Sequence, residues 1–223
     1  MLDKVKGELI ISCQALEGEP LHSPMIMGRM AIAAKQAGAK GIRAQGVADI
    51  LEIQKVTGLP VIGIIKKDYD DSEVFITATK VEVQALIDTG CEMIALDATK
   101  RDRPNGEKLE DLVKMIQDAG VESMADISTL EEAKTAEKLG FSCISTTLAG
   151  YTSYSKNVDG PDFDLIQNIL EEVKIPLIAE GKIHYPSDLR KVMDMGVYSA
   201  VVGGAITRPQ EIAQRFLKEM KEK

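Results

Sequence analysis

The chain has 223 residues, 44% of them hydrophobic and 28% charged, with a formal net charge of −8. That length suffices for one well-buried domain spanning residues 1–223. The acidic balance excludes general nucleic-acid binding, which needs a basic face, and no apolar run has the form of a signal peptide or approaches the roughly 18 residues of a membrane span.

The first strand-like run is ELIISCQ (8–14). The helical segment SPMIMGRMAIAAKQAG follows, with Ser23 as N-cap, Pro24 in the first turn and Gly38 as stop. Met25, Met27 and Met30 recur there at helical spacing and read as core filler. Next come GIRAQG (41–46), PVIGIIK (60–66), CEMIALDATK (91–100) and VESMADIS (121–128). STLEEAKTAEKLG then offers a capping box from Ser128 or Thr129 and ends on glycine. The series closes with FSCISTTL (141–148), IPLIAEG (175–181) and YSAVVGG (198–204), and PQEIAQRFLKEMKEK makes a last helix. In that helix Ile212, Phe216 and Met220 share one face, which fits either the barrel wall or a partner subunit.

Eight strand–helix alternations without a linker predict one parallel α/β architecture, a compact (β/α)8 TIM barrel. The competing open doubly wound sheet needs a G-x-G-x-x-G after its first strand, and CQALEGEPLH stands there instead. Cys13, Cys91 and Cys143 are odd in number and lie in or beside apolar runs, as reduced core thiols of a cytoplasmic protein do. The two histidines, His22 and His184, lie in no ligand-like cluster, so no metal is expected.

In such barrels chemistry sits at the C-terminal strand ends. Those ends carry Gln14, Arg43, Lys66, Asp97, Asp126, Thr147, Glu180 and Gly203 in chain order, seven of the eight polar. The loops AEGKI (179–183) and VVGGAITRPQE (201–211) follow strands seven and eight, where backbone amides and a helix N-terminus commonly hold phosphate. Gly181, Gly203 and Gly204, with Lys182 among them, are the predicted cup, and its glycines are needed because a Cβ there would keep the anion away from the amides. Arg208 can add a charge-assisted contact. Asp97 and Lys100 either touch the substrate or tie adjacent loops, and Tyr151 and Tyr154 either cover the site or pack a loop.

The alternation of PVIGIIKK puts Ile62, Ile64 and Lys66 on one side of a strand buried on both faces. A lysine ending that row has three readings: a structural ion-pair partner, a Schiff-base nucleophile, or a base that removes a proton from carbon. Pairing with Glu180 raises its pKa, whereas burial and Arg43 lower it.

The strings SCQALEGEPLHSPMIMGRMAIAAKQAGAKGIRAQG, PVIGIIKKDY, IALDATKRDRPNG, MADISTLEEA, STTLAGYT, IAEGKI and AVVGGAITRPQ together closely resemble the bacterial N-acylglucosamine-6-phosphate 2-epimerase family. The resemblance covers almost the whole chain. It implies a cofactor-independent barrel of the ribulose-phosphate-binding type that converts N-acetylmannosamine 6-phosphate to N-acetylglucosamine 6-phosphate in sialic acid breakdown. It further implies a phosphorylated N-acyl amino sugar as substrate and a homodimer. Carried over by position, it makes Lys66 and Glu180 the catalytic pair and Gln14, Arg43 and Asp126 substrate contacts.

The implied chemistry is proton exchange at C2, which lies α to the C1 aldehyde of the open-chain sugar, so that loss of its proton gives an enolate. Two rivals keep the same glycine loops. One is a Schiff-base lysine aldolase acting on a sugar phosphate. The other is a non-catalytic sugar-phosphate-binding barrel, which has no need of the Lys66 and Glu180 pair.

Overall fold

The computed structural model describes residues 1–221. Its strands are β1 (Leu9–Cys13), β2 (Gly41–Gln45), β3 (Val61–Ile64), β4 (Met93–Asp97), β5 (Glu122–Asp126), β6 (Cys143–Ser145), β7 (Leu177–Ala179) and β8 (Ser199–Val202). All pair in parallel in chain order, and β8 closes onto β1 with Leu9 opposite Ala200. The helices are α1 (Leu2–Val5), α2 (Pro24–Gln36), α3 (Val47–Thr57), α4 (Lys80–Asp88) and α5 (Leu109–Asp118), followed by α6 (Leu130–Leu139), α7 (Phe163–Glu172), α8 (Pro186–Asp194) and α9 (Pro209–Lys221). The molecule is a (β/α)8 barrel.

The strands read as continuous apolar runs because each is covered on both faces. Ile10, Ile62, Ile64, Met93, Met124, Cys143, Ile178 and Val201 belong to the inner cluster. Their neighbours Ile11, Ile42, Ala44, Val61, Ile94 and Leu96 pack outward against the helices. Lys66 continues the inner row of Ile62 and Ile64 and emerges at the mouth. All three cysteines are buried and free. Burial pushes the Cys13 thiol up to about 12, with Asp49 adding to the shift, so it is no nucleophile at neutral pH.

Local signals account for the helix ends. Thr129 and Glu132 form a capping box for α6, and Gly140 ends that helix in the left-handed conformation. Thr79 and Glu82 do the same at the start of α4. Ser23 is the N-cap of α2, but its side chain makes no capping hydrogen bond. Met27 is fully buried and Met30 half-buried, whereas Met25 is 64% exposed and fills no core. The short α1 is not among the elements predicted from sequence; it brings Val5 into the inner cluster, with Met1 and Leu2 packed against it.

The last helix departs from the wall-packing alternative. None of its described residues is buried, and Phe216, Leu217 and Met220 stand exposed. Among the described residues no helix is long and apolar enough to cross a membrane.

Candidate active site

Strands β1, β3, β6 and β7 end one or two residues short of their polar positions at the mouth, so Gln14, Lys66, Thr147 and Glu180 all stand just beyond their strands. Together with Gly181, Lys182, Gly203, Gly204 and Arg208, these residues line one cavity of about 410 Å³ at the C-terminal end of the barrel. Eight of the ten sequence-predicted site residues therefore share a single space. The remaining two, Arg43 and Asp126, lie beneath it.

Arg43 is 1% exposed and Asp126 fully buried. Their ion pair is bidentate: Nη1 donates to Oδ1 at 3.0 Å and Nη2 to Oδ2 at 2.6 Å. The same Nη1 lies 2.9 Å from Glu180 Oε2, so one guanidinium holds two carboxylates. Burial works to lower the pKa of Arg43, but Asp126 and Glu180 more than offset it and keep the guanidinium charged. Burial also raises the pKa of Glu180; Arg43 opposes that shift and Asp126 reinforces it.

Strand β6 supplies hydroxyls around Glu180. Thr147 Oγ1 lies 2.7 Å from Asp126 Oδ1 and 3.1 Å from Glu180 Oε2, and Ser145 Oγ lies 3.3 Å from that same oxygen. Thr146 grips the backbone of Glu180, donating to its carbonyl at 2.8 Å and accepting from its N–H at 3.1 Å. Both the backbone and the carboxylate of Glu180 are thus fixed before any ligand arrives. Thr147 is recognisable in the sequence as a strand-end residue, but nothing there assigns a task to any of these hydroxyls. Their signal is the polar string STT at the mouth of a barrel strand.

Lys66 stands across the cavity. Burial lowers its pKa from the ordinary 10.5 to about 8, helped by the positive charges of Arg43 and Arg208 and opposed by Glu180 and Asp126. Desolvation and like charge outweigh the carboxylates, so a usable fraction of the amine is neutral near physiological pH. Gln14 donates through Nε2 to Ser12 Oγ at 2.6 Å, while its Oε1 is buried and has no partner, leaving an acceptor available to a ligand N–H or O–H.

The glycine-rich end is more constrained than the sequence implies. Gly181 has φ +97°, a conformation L side chains rarely adopt, and a Cβ on Gly204 would sit 2.0 Å from Glu211 Oε2. Arg208 is bound bidentately by Glu19, at 2.6 and 3.2 Å, with Glu211 3.4 Å away, so its charge faces two carboxylates. Lys182, in the left-handed region at φ +54°, lines the cavity but turns its ammonium to Asn157 Oδ1 and the Val158 carbonyl at 2.6 and 2.8 Å.

Asp97, at the end of β4, and Lys100, in the loop after it, lie outside this cavity. Asp97 pairs with Arg101 at 2.5 Å and accepts from the Thr99 N–H and hydroxyl, while Lys100 stacks over the Tyr154 ring at 4.0 Å. Tyr154 donates to Glu132 at 2.6 Å and packs its loop, whereas Tyr151 lines the cavity. Among the described residues no cluster suited to a metal ion occurs.

A low-pKa amine, a fixed carboxylate and a glycine-lined pocket thus stand together at the mouth of a (β/α)8 barrel, the end where enzymes of this fold carry their chemistry. Residues 27–222 match the family model described as "Putative N-acetylmannosamine-6-phosphate epimerase". The chain is 63% identical over 218 residues to a 2-epimerase so designated from Clostridioides difficile, covering 98% of each chain. It is 64% identical over 221 residues to one from Clostridium perfringens, covering 99% of this chain and 100% of that one. The solved structure of the N-acetylmannosamine-6-phosphate 2-epimerase from Clostridium perfringens superposes with a TM-score of 0.97 at 64% identity, over 98% of this chain and 96% of that one. The chain belongs to the N-acetylmannosamine-6-phosphate epimerase family. A thiamine phosphate pyrophosphorylase from Pyrococcus furiosus, with TM-score 0.61 and 16% identity, shares the fold alone.

Proposed function

We propose that this chain acts as one catalytic barrel that converts N-acetylmannosamine 6-phosphate to N-acetylglucosamine 6-phosphate by proton removal and return at C2, in amino-sugar breakdown in the cytoplasm. The observation that carries this reading is the shared cavity of Lys66 and Glu180, the amine held near pKa 8 and the carboxylate held by Arg43. With that pKa about one-tenth of the amine is neutral at pH 7, roughly 300-fold more than for a lysine at 10.5.

Neutral Lys66 takes the C2 proton of the open-chain aldehyde, and the C–H electron pair passes into the enolate spanning C2, C1 and O1. Return of a proton to the opposite face gives the epimer: either Lys66 gives back a proton after the intermediate turns, or Glu180, which burial biases toward its protonated form, gives its own and is reprotonated from solvent as Lys66 releases the proton it took. No net oxidation occurs, so the step requires no redox cofactor. Arg43, beneath the floor, reaches this chemistry through Glu180. Its fixed positive charge supplies preorganised polarity for the developing enolate, while the unpartnered Gln14 Oε1 can accept from a substrate N–H or O–H and so help orient the sugar. The phosphate binds among Gly181, Lys182, Gly203, Gly204 and Arg208, exchanging for the carboxylates on Arg208, and its remote binding energy positions C2.

The exposed Phe216, Leu217 and Met220 of α9 support a homodimer, because a second copy would cover them. Turnover in deuterium oxide tests the chemistry: product carrying deuterium at C2 is the expected result, and product free of solvent hydrogen excludes deprotonation there. Borohydride treatment with substrate separates this mechanism from an imine-forming lysine, which alone would be trapped as a covalent adduct.

A further inference from the structure

Strand β3 ends at Ile64, two residues before Lys66, so the ladder of the barrel does not itself hold the lysine. A hairpin does. Lys66 bridges Ile76 in antiparallel fashion, and the Lys67 N–H donates to the Phe75 carbonyl at 3.0 Å. The Ile76 carbonyl in turn accepts from the Asp97 N–H at 3.1 Å, anchoring the returning arm to β4.

Thr77 closes this hairpin in an unusual way. It is fully buried, and its φ of +46° lies in the left-handed region, which a β-branched residue adopts at a cost. Its N–H donates to the Ile65 carbonyl at 2.7 Å, and its Oγ1 accepts from the Ile65 N–H at 3.3 Å. Both polar groups of the residue immediately before Lys66 are thus held by one threonine. Glycine or asparagine would occupy this backbone conformation at less cost. What threonine adds is the hydroxyl that reaches back to Ile65. Strain of this kind persists where the surrounding structure over-determines it, commonly beside a site that needs fixed geometry.

We propose that Thr77 is a positioning residue for Lys66, clamping Ile65 so that the amine stays aimed into the cavity and withheld from water. The proposal rests on the catalytic reading of Lys66 given above. It goes beyond that reading, because Thr77 does not line the cavity and touches the lysine only through the backbone.

The test compares Thr77→Ser, Thr77→Val and Thr77→Gly in two readouts: steady-state kinetics, and competitive acetylation of Lys66 followed by peptide mass spectrometry across pH. Thr77→Ser keeps the acceptor and is expected to match the parent in both. Thr77→Val and Thr77→Gly lose it and are expected to drop kcat by about 10- to 100-fold with KM within about twofold. Their Lys66 should titrate about one pH unit higher as water reaches the amine. Thr77→Gly relaxes the left-handed backbone and decides the matter should Thr77→Val not fold. The clamp is overturned if Thr77→Val and Thr77→Gly keep the parental titration and kcat, or if Thr77→Ser loses as much as they do. A shifted titration with kcat intact would leave the clamp standing and remove Lys66 from catalysis, as would full activity in Lys66→Ala.

Discussion

Replacing Lys66 by methionine should abolish turnover and at the same time stabilise the fold. The fall in the lysine pKa from 10.5 to about 8 means that the folded protein disfavours the ammonium. At 1.36 kcal/mol per pH unit this corresponds to about 3 kcal/mol, of which solvent at the open mouth screens a part, leaving about 2–3 kcal/mol. For a domain of this size each kcal/mol moves Tm by about 2–4 °C, so the variant should melt about 5–10 °C higher near neutral pH. The sign follows from proton linkage. Between about pH 8 and 10.5 the unfolded chain binds more protons at this position than the folded one, so stability rises with pH there. Below that window the penalty is present in full, and above it the penalty is gone. Calorimetry of parent and Lys66→Met from pH 6.5 to 10.5 should therefore show a gap that is widest at low pH and closes as the lysine deprotonates. A variant no more stable than its parent at pH 6.5, or a gap unchanged across the window, would refute the idea that the site holds its amine against a desolvation cost.

The parent's kcat/KM should climb about tenfold per pH unit up to about pH 8 and then level, as the free lysine loses its proton; stopped assays over pH 6–9 check this, and a flat profile removes Lys66 as the base. Asp126→Asn should cost about 3–5 kcal/mol because it leaves the buried guanidinium with a poor partner, whereas Glu180→Gln leaves the bidentate pair in place and should cost less. Thermal melts of the two variants rank them, and equal losses would contradict the geometry. Glu19→Gln should free Arg208 and lower the inhibition constant of inorganic phosphate several-fold, while Arg208→Gln should raise KM about 10- to 100-fold. Phosphate inhibition unchanged in Glu19→Gln would show that this carboxylate does not compete for the arginine.

The barrel was legible because burial on both faces turns each strand into an apolar run, and because capping residues such as Thr129 and Gly140 punctuate the helices between. Most of the mouth was legible for the same reason. A parallel closed barrel delivers every strand's C-terminal residue to one end, so Lys66 and Glu180 had to meet even though 113 residues separate them (180 − 66 − 1). What stayed hidden depends on backbone angles and on partners far away in sequence. Nothing in the residue type of Lys182 announces a positive φ that sends its ammonium to Asn157. Nothing local marks Glu19 as the counter-ion of Arg208, 189 residues away. The hairpin that holds Lys66 runs through DYDDSEVFITAT, which has no helical or strand period to read, and α1 is too short to show one.

On the proposed reading the cavity binds an anion in a protein of net charge −8, and the arginines at the site already face carboxylates. Arg43 is neutralised from below by Asp126 and from the side by Glu180, so it remains charged in the interior without drawing the phosphate to the wrong end. Arg208 is neutralised by Glu19, and in the proposed complex phosphate takes that carboxylate's place. Lys66 is the exception: burial holds its pKa down, and the positive charges of Arg43 and Arg208 add to that shift against Glu180 and Asp126. Phosphate on Arg208 therefore does more than hold the sugar. A phosphate monoester carries about −1.5 to −2 near neutral pH, more than the carboxylate it displaces, so its arrival raises the proton affinity of the amine and the base strengthens in the complex where it has a proton to accept. The acid limb of kcat should accordingly lie at higher pH than that of kcat/KM.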